Sequence, residues 1–454
     1  MTIAKRESIH GQWSSRLAFV LAATGAAVGL GNIWKFPYIL GQNGGGAFVM
    51  VYLACILLVA TPILITEIML GRRGRRSPVN AMAELVREER APPAWRYLGW
   101  MSVVTGFLIL SYYSVIMGWA IAYVKQAATG SFSGLDGASI KGMFESFVAS
   151  PMELLFWHTV SIVITMLVVA RGVRAGLESF TTLFMPLLFV ILLLLVGYGM
   201  STGAFGQALG FLFAPDFSKL TATSVVVALG HAFFTLSIGF GTIMAYGSYM
   251  PERASIASTA LFIVAADTAV SLLAAMAIYP VVFANGLEPG AGPGLVFQTL
   301  PIAFGQMPFG LMFGTLFFVA LVLAAWTSSI SMIEPVVAYF VESRGWTRVR
   351  AVVVLGFAAW ALGILTVLSF NHWAEIRLFG KNFFELLDFV TSNIMLPFGG
   401  LMMAVFATWF MRRSSTVEEL GLSNAAYTLW RVLTRYVAPL GILVVLLNGL
   451  GLLG

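Results

Sequence analysis

The chain carries little charge and almost no cysteine. Only 10% of its 454 residues are Asp, Glu, Lys or Arg, against about 25% in soluble domains, which excludes a soluble multi-domain enzyme. The single cysteine, Cys55, cannot form an intrachain disulfide, and the sequence has no Cys/His cluster of the zinc type. Hydrophobic residues make up 59% of the chain, which excludes a disordered or fibrous protein.

Long apolar runs predict an all-α membrane protein with about eleven transmembrane helices, since about 20 apolar residues cross a bilayer. Spans 1 to 11 are predicted at 14–41, 46–71, 97–125, 152–170, 177–200, 221–249, 255–284, 309–341, 349–369, 384–411 and 432–453. The first run locally resembles a signal peptide, but it stays apolar past the would-be cleavage site. A shorter apolar stretch at 294–304 predicts a re-entrant or surface-lying segment.

The basic residues predict how the chain is oriented. With the N-terminus inside, 20 Lys and Arg residues fall on inner segments and five on outer ones, and Lys35 lies within span 1. This asymmetry predicts a multi-pass protein of the plasma (inner) membrane with a cytoplasmic N-terminus and an outer C-terminus. The charge is spread over every inner loop, so a nucleic-acid partner is not expected. The expected partners are the lipid bilayer and a small-molecule substrate, and no obligatory protein partner is evident.

Two predicted spans contain residues that disfavour a continuous helix. Residues 25–37 of span 1 hold three glycines and a proline, and residues 233–241 of span 6 hold two glycines among hydroxyl residues. Spans 1 and 6 each begin a set of five, and an odd number places the second set in the membrane with inverted topology. Paired interruptions of this kind indicate a transporter site. The alternative is that the glycines only allow close helix packing.

Several motifs resemble those of the neurotransmitter:sodium symporter family, most closely its bacterial amino-acid transporters of the short, eleven-helix kind. They are WSSRL at 13–17, GLGNIWKFPY at 29–38, NGGGAF at 43–48, FTLSIGFG at 234–241 and TSS at 327–329. The resemblance implies a 5+5 inverted repeat with helices 1 and 6 broken. Residues 1–454 would form a single transport domain, with repeats at 14–200 and 221–411 and an additional helix at 432–453.

The resemblance also implies two sodium sites. One would use Gly25, Val28, Ala324, Thr327 and Ser328. The i, i+3, i+4 spacing of its last three residues independently places them on one helix face, although back-bonding to their own helix is the alternative for the hydroxyls. The other would use Ala27, Asn32, Thr235 and Asp267.

Asp267 stands where the family commonly has Asn, beside the place where chloride-dependent members bind the anion. Tyr52, Thr235 and Ser271 match other chloride-site positions, whereas His231 replaces the usual Gln. An intramembrane carboxylate is costly and is by default functional. We therefore expect Asp267 to supply fixed negative charge, so that no chloride is needed.

The implied substrate site lies between the two breaks. Its residues would be Ala26, Ala27, Leu30, Gly31, Ile109, Tyr113, Phe234, Thr235, Ser237, Phe240, Ser328 and Met332. Gly29 stands where monoamine-transporting relatives have Asp, which leaves room for a substrate carboxylate. The apolar lining predicts a neutral, hydrophobic amino acid.

Two gates follow from the same resemblance. Lys35 and Asp388 match the outer ion pair, with Lys in place of the usual Arg, and Lys lacks the bidentate fork. Glu342 and Trp13 match the inner gate, where His10 replaces the usual Arg and Arg6 or Lys5 could substitute for it.

The predicted function is sodium-coupled amino-acid import by alternating access, with no enzymatic activity. Alternatives are an amino-acid sensor on a transporter fold, a carrier of another small zwitterion, and a channel. A channel would need a continuous polar lining, whereas the polar residues cluster at mid-membrane. An intramembrane enzyme is disfavoured, because the sequence has no HExxH motif and no paired catalytic aspartates.

Overall fold

The computed structural model describes residues 9–289 and 294–452. Within these residues the chain is helical apart from its loops and one isolated β-bridge between Leu378 and Lys381. The predicted all-α class is therefore confirmed.

Nine helices of the described part are long and apolar enough to cross a membrane. They are Gly46–Gly74, Pro93–Ala128, Pro151–Ala170, Val173–Met200, Ile256–Ala284, Gly310–Arg344, Arg348–Leu368, Phe383–Phe410 and Asn424–Gly449. In order they are spans 2 to 5 and 7 to 11, and most ends lie within a few residues of the prediction. Span 11 begins at Asn424 rather than at residue 432, because its first turns bury Tyr427 and Trp430 but expose polar side chains.

Span 1 is broken as predicted. Its halves, Arg16–Ala27 and Gly31–Gln42, meet at an angle of 51°. Between them Val28 is extended, with φ −67° and ψ 116°, so the first helix ends there and its last carbonyls lose their helical partners.

Span 6 is also broken, into Ala222–Thr235 and Thr242–Ser248. The intervening backbone turns through Gly239 and Gly241, whose φ angles of +88° and +76° suit glycine because it has no Cβ. Ser237 has φ +53°, an uncommon conformation for a residue with a side chain. Spans 1 and 6 therefore both open into irregular backbone.

The remaining elements are short. Pro78–Glu89 and Arg413–Leu420 follow spans 2 and 10, whereas Gly137–Ala149 and Phe205–Phe213 follow spans 3 and 5. The predicted re-entrant stretch forms Leu295–Thr299 and Leu300–Gln306, too short to span. Span 8 packs along span 3. The first half of span 1 and the second half of span 6 contact span 8, and the first half of span 6 contacts span 2.

Candidate functional site

The residues predicted for one sodium site converge on the side chain of Asn32. Its Nδ2 lies 2.7 Å from Asp267 Oδ1, 2.9 Å from Thr235 Oγ1, 2.9 Å from Ser271 Oγ and 3.1 Å from the Asp267 carbonyl oxygen. An amide nitrogen has two hydrogens, so these four acceptors exceed what it can satisfy. All of these side chains are buried. The cluster is thus a buried group of hard oxygens with one carboxylate, which suits a small cation.

This cluster joins three separate parts of the chain. Asn32 belongs to the second half of span 1, Thr235 ends the first half of span 6, and Asp267 lies within span 7. Thr235 donates to Asp267 at 3.0 Å, and Asn32 Oδ1 accepts the Gly29 N–H at 2.8 Å. The predicted ligand Ala27 lines the adjacent cavity. Its role as a sodium ligand stays a prediction.

The residues predicted for the other sodium site also come together. Ser328 Oγ lies 2.9 Å from the Val28 carbonyl and 3.5 Å from the Gly25 carbonyl, across the gap between spans 8 and 1. Thr327 instead donates to the Ala324 carbonyl of its own helix at 3.0 Å. The back-bonding alternative therefore holds for Thr327, whereas Ser328 faces the carbonyls freed by the break.

Most of the predicted substrate residues surround one small cavity between the two breaks. It has a volume of about 10 Å³, close to the minimum for a single water. Its lining is Ala27, Gly29, Gly31, Tyr113, Phe234, Thr235, Ser237, Phe240, Ser328 and Met332. Leu30 donates its N–H to the Tyr113 hydroxyl at 2.9 Å, and Ser237 donates to the Ala26 carbonyl at 2.8 Å. Ile109 is fully buried, but it is not part of the lining.

Gly29 makes this packing possible. A Cβ built on Gly29 would lie 2.6 Å from Ser328 Oγ and 2.6 Å from Tyr113 Oη. Any side chain here would displace two of the predicted substrate contacts. The glycine therefore keeps the backbone of span 1 open to the cavity.

On the side predicted to face outward, a second cavity of about 380 Å³ borders the first. Tyr113 and Phe234 line both cavities and separate them, and Leu30 lines the outer one. Lys35 and Asp388 also line the outer cavity, yet within the described residues they form no ion pair with each other. Lys35 Nζ lies 4.5 Å from the centre of the Phe234 ring. Asp388 Oδ1 accepts the Ser392 hydroxyl at 2.9 Å and the Tyr112 hydroxyl at 3.3 Å.

On the side predicted to face inward, buried groups close the path. Trp13 is 2% exposed and donates its Nε1–H to the Tyr246 carbonyl at 3.1 Å. The Glu342 carboxylate lies 3.0 Å from His10 Nε2, and it accepts from the N–H and hydroxyl of Ser77 and from Asn80. His10 therefore occupies the place of the expected basic partner, whereas Lys5 and Arg6 lie outside the described residues.

Two buried carboxylates escaped the sequence prediction. Glu67 of span 2 accepts the Gly239 N–H at 3.1 Å and so holds the break of span 6. Glu334 of span 8 pairs with Arg348 and accepts the Tyr249 hydroxyl at 3.0 Å. The argument that marked Asp267, an acidic residue within an apolar span, applies equally to both and would have found them.

Comparison with known proteins shows similarity over almost the whole chain. The sequence profile of the Sodium:neurotransmitter symporter family matches residues 10–135 and 138–452. An uncharacterized sodium-dependent transporter, YhdH of Bacillus subtilis (strain 168), is 39% identical over 446 residues, which cover 97% of this chain and 98% of YhdH. An uncharacterized sodium-dependent transporter of Haemophilus influenzae is 32% identical over 96% of this chain and 98% of its own length.

A solved structure agrees with the fold. The crystal structure of MhsT in complex with L-phenylalanine superposes with a TM-score of 0.89. The two sequences are 40% identical, and the match covers 97% of this chain and 99% of that one.

Proposed function

The chain belongs to the sodium:neurotransmitter symporter family and is a sodium-dependent transporter, not an enzyme; we propose that it imports a neutral, hydrophobic amino acid by alternating access, without chloride. The observation that carries the proposal is the oxygen cluster around Asn32, Thr235 and Asp267, which draws the two broken spans together beside a small buried cavity.

The substrate class follows from the cavity. Backbone N–H groups at a helix break attract a carboxylate, and those of Leu30 and Gly31 lie at the start of the second half of span 1. The Leu30 N–H donates to the Tyr113 hydroxyl, the other group proposed to bind the carboxylate. Phe240 and Met332 supply an apolar wall for a side chain. The similar protein MhsT was crystallised with L-phenylalanine, which belongs to this class. One methylene in such a pocket changes selectivity by only about 1–3 kcal/mol, so the proposal names a class rather than one amino acid.

Coupling arises because the ion and the solute share a site. A sodium ion among the oxygens of Asn32, Thr235 and Asp267 lies next to the cavity where the substrate carboxylate would bind. Each then strengthens the binding of the other by the same free energy, because linkage is reciprocal. A sodium gradient thereby drives uptake of the amino acid.

Chloride independence rests on Asp267, whose carboxylate already supplies negative charge within the oxygen cluster. A chloride ion next to it would be repelled in a medium of low dielectric constant. Nearby, the His231 ring stacks on Phe36 at 5.7 Å and lies 5.4 Å from the Tyr52 ring, and neither ring nitrogen has a hydrogen-bond partner in the described part of the chain. The family commonly has Gln at position 231, and its neutral amide is absent here because His231 takes its place.

The test is uptake of radiolabelled L-phenylalanine into proteoliposomes with an inward sodium gradient. Uptake should be saturable, should collapse when choline replaces sodium, and should not change when gluconate replaces chloride. Asp267→Asn should slow uptake and make it respond to chloride, because it removes the fixed charge but keeps the side chain's size. Asp216→Asn, at an exposed carboxylate, is the matched control and should behave like the wild type.

Three results would contradict the proposal. Uptake at full rate without sodium would reject coupling, and severe loss in gluconate would reject chloride independence. Sodium-dependent binding of amino acids without any flux would instead favour a sensor. A thermal-shift screen of the twenty amino acids, with and without sodium, separates a wrong substrate from a wrong mechanism.

A further inference from the structure

A groove runs along the membrane-facing surface between spans 4 and 9, far in sequence from both breaks. It has a volume of about 500 Å³. Residues at i, i+3 and i+4 spacing line it, from Thr159 to Ala170 on span 4 and from Val349 to Trp360 on span 9. Thr159 is its only hydroxyl residue, and this hydroxyl is already bonded to Trp360 Nε1 at 2.9 Å. We call it the span 4–9 groove.

The groove has the length of one bilayer leaflet. From Val349 to Trp360 the helix rises through eleven residues, about 17 Å at 1.5 Å per residue. The hydrocarbon core of a bilayer is about 30 Å thick, so one leaflet occupies about half of that. The groove therefore matches the reach of one layer of acyl chains and ends where the other leaflet begins.

Small residues create the concave shape. A Cβ on Gly356 would lie 2.7 Å from Met166 Cγ, so the absence of a side chain there brings the two helices together at the floor. The walls stand out on either side, because Leu167 is 60% exposed, Val353 63% and Phe357 66%. The surface is therefore a slot rather than a smooth apolar face.

Exposed arginines stand at one end of the slot. Arg171 follows Ala170 on span 4, and Arg350 follows Val349 on span 9, and both are exposed. Within the described residues neither lies within 4.0 Å of a carboxylate. The Arg350 guanidinium lies 4.7 Å from the centre of the Trp346 ring, at the level expected for lipid headgroups.

Arg348, at the same end, is bonded within the protein and is not available to a headgroup. It donates to the Val169 carbonyl of span 4 at 2.7 Å and pairs with the buried Glu334. This contact ties spans 4 and 9 together, so the mouth of the slot has a fixed width. Two cations without acidic partners thus flank the end of a rigid apolar slot.

We propose that the span 4–9 groove binds an anionic phospholipid, with one acyl chain along the slot and the phosphate between Arg171 and Arg350. Each basic residue near the membrane surface attracts an anionic headgroup by about 1 kcal/mol. A second copy of this chain fits the surface less well. A two-fold contact places the same patch of both copies face to face, and the arginines of the two copies would then repel each other.

The test is native mass spectrometry of the purified protein titrated with phosphatidylglycerol or phosphatidylcholine of the same acyl chains. The wild type should retain phosphatidylglycerol preferentially. Arg171→Gln/Arg350→Gln should weaken that binding about 25-fold, which is about fivefold per arginine, without changing phosphatidylcholine binding. Arg90→Gln/Arg253→Gln removes two other exposed arginines from predicted inner loops and should bind like the wild type.

A second variant tests the slot itself. Gly356→Leu fills the floor and should reduce retention of phosphatidylglycerol with all arginines present, and Val353→Trp, on the exposed wall, is the substitute if Gly356→Leu does not fold. Wild-type retention by the arginine variant would overturn the headgroup site, and wild-type retention by both slot variants would overturn the groove as its location. Conversion of a wild-type dimer to monomers by the slot variants, with lipid binding unchanged, would assign the groove to a second copy.

Discussion

The inner and outer ends of the transport path close in different ways. At the inner end, one buried carboxylate, Glu342, gathers partners from the N-terminal segment and from the helix after span 2. At the outer end, Lys35 and Asp388 face a cavity of about 380 Å³ and each contacts other groups. The inner end is thus held by several buried bonds of fixed geometry, and the outer end by none between its two charges.

The difference indicates which side opens more easily. Hydrogen bonds to a charged group contribute about 1.5–3 kcal/mol each, whereas an exposed ion pair contributes about 0–1 kcal/mol. Opening inward would break several of the former at Glu342 and would also separate Trp13 from Tyr246. Opening outward would break no salt bridge between Lys35 and Asp388. Resting molecules should therefore be closed inside and accessible from outside.

The largest effect is expected from Glu334→Ala, which removes a buried salt bridge near the inner end. Glu334 is fully buried and is the acidic partner of Arg348, and the variant leaves that cation largely buried without its partner. Loss of one member of a buried ion pair costs about 3–5 kcal/mol. We expect a large drop in the thermal unfolding temperature, measured in detergent by the fluorescence of a thiol-reactive dye at Cys55.

Glu418→Ala is the matched control for Glu334→Ala. Glu418 is also an inner acidic residue, but its side chain is 76% exposed and its nearest contact with Arg73 is 3.5 Å. Its loss should change the unfolding temperature very little, because exposed pairs contribute little to stability. Equal shifts in the two variants would show that the buried Glu334 pair stabilises the fold no more than an exposed pair does.

The next effect is expected from Glu342→Gln, which keeps the size of the inner gate residue but removes its charge. An amide nitrogen accepts no hydrogen bond, so a Gln side chain cannot keep every bond that the Ser77 hydroxyl and Asn80 donate to the carboxylate, and about 2 kcal/mol of inner closure is lost. A shift of that size changes the ratio of inward-open to inward-closed molecules about 30-fold. Uptake should fall, because fewer molecules have their substrate site open to the outside.

Hydrogen exchange measures this shift directly. The Trp13 N–H donates to the Tyr249 carbonyl at 3.1 Å, and this bond joins the N-terminal segment to the end of span 6. Exchange in the peptide around Trp13 should accelerate in Glu342→Gln, and exchange in Phe36–Gln42 at the outer end should not. Unchanged protection at Trp13 would mean that Glu342 does not govern inner opening.

The sequence predicted the fold well because membrane spans leave a strong signal. Each span needs a long apolar run. The breaks fell where glycines and a proline interrupt span 1, and where glycines and hydroxyl residues interrupt span 6. The start of span 11 was missed because Asn424–Val432 is amphipathic, so its apolar side is diluted in a linear reading. The stretch at 294–304 was predicted as a re-entrant or surface-lying segment, and the structure forms two short helices there, Leu295–Thr299 and Leu300–Gln306.

The site was predicted less completely, since contacts between distant segments leave no local pattern. The cluster of Asn32, Thr235 and Asp267 came from family resemblance, and the structure brings these residues together. The separation of Lys35 from Asp388 depends on how far the outer end is open, and the pairing of Glu334 with Arg348 depends on the packing of span 8 against span 9. Neither follows from spacing along the chain.

The smallest effect is expected from Lys35→Arg, which should strengthen closure of the outer end. Arginine has a planar fork that can bind a carboxylate with two hydrogen bonds, whereas lysine is a point charge. The outer end should then close more firmly, by at most about 1 kcal/mol, and bound L-phenylalanine should dissociate a few-fold more slowly. Lys381→Arg is the matched control, because Lys381 is another outer lysine over a phenylalanine ring, 4.8 Å from the centre of Phe389. Equal slowing in both variants would show that the effect is not specific to the gate. Faster dissociation in Lys35→Arg would show that the contact of Lys35 with Phe234 already holds the outer end closed.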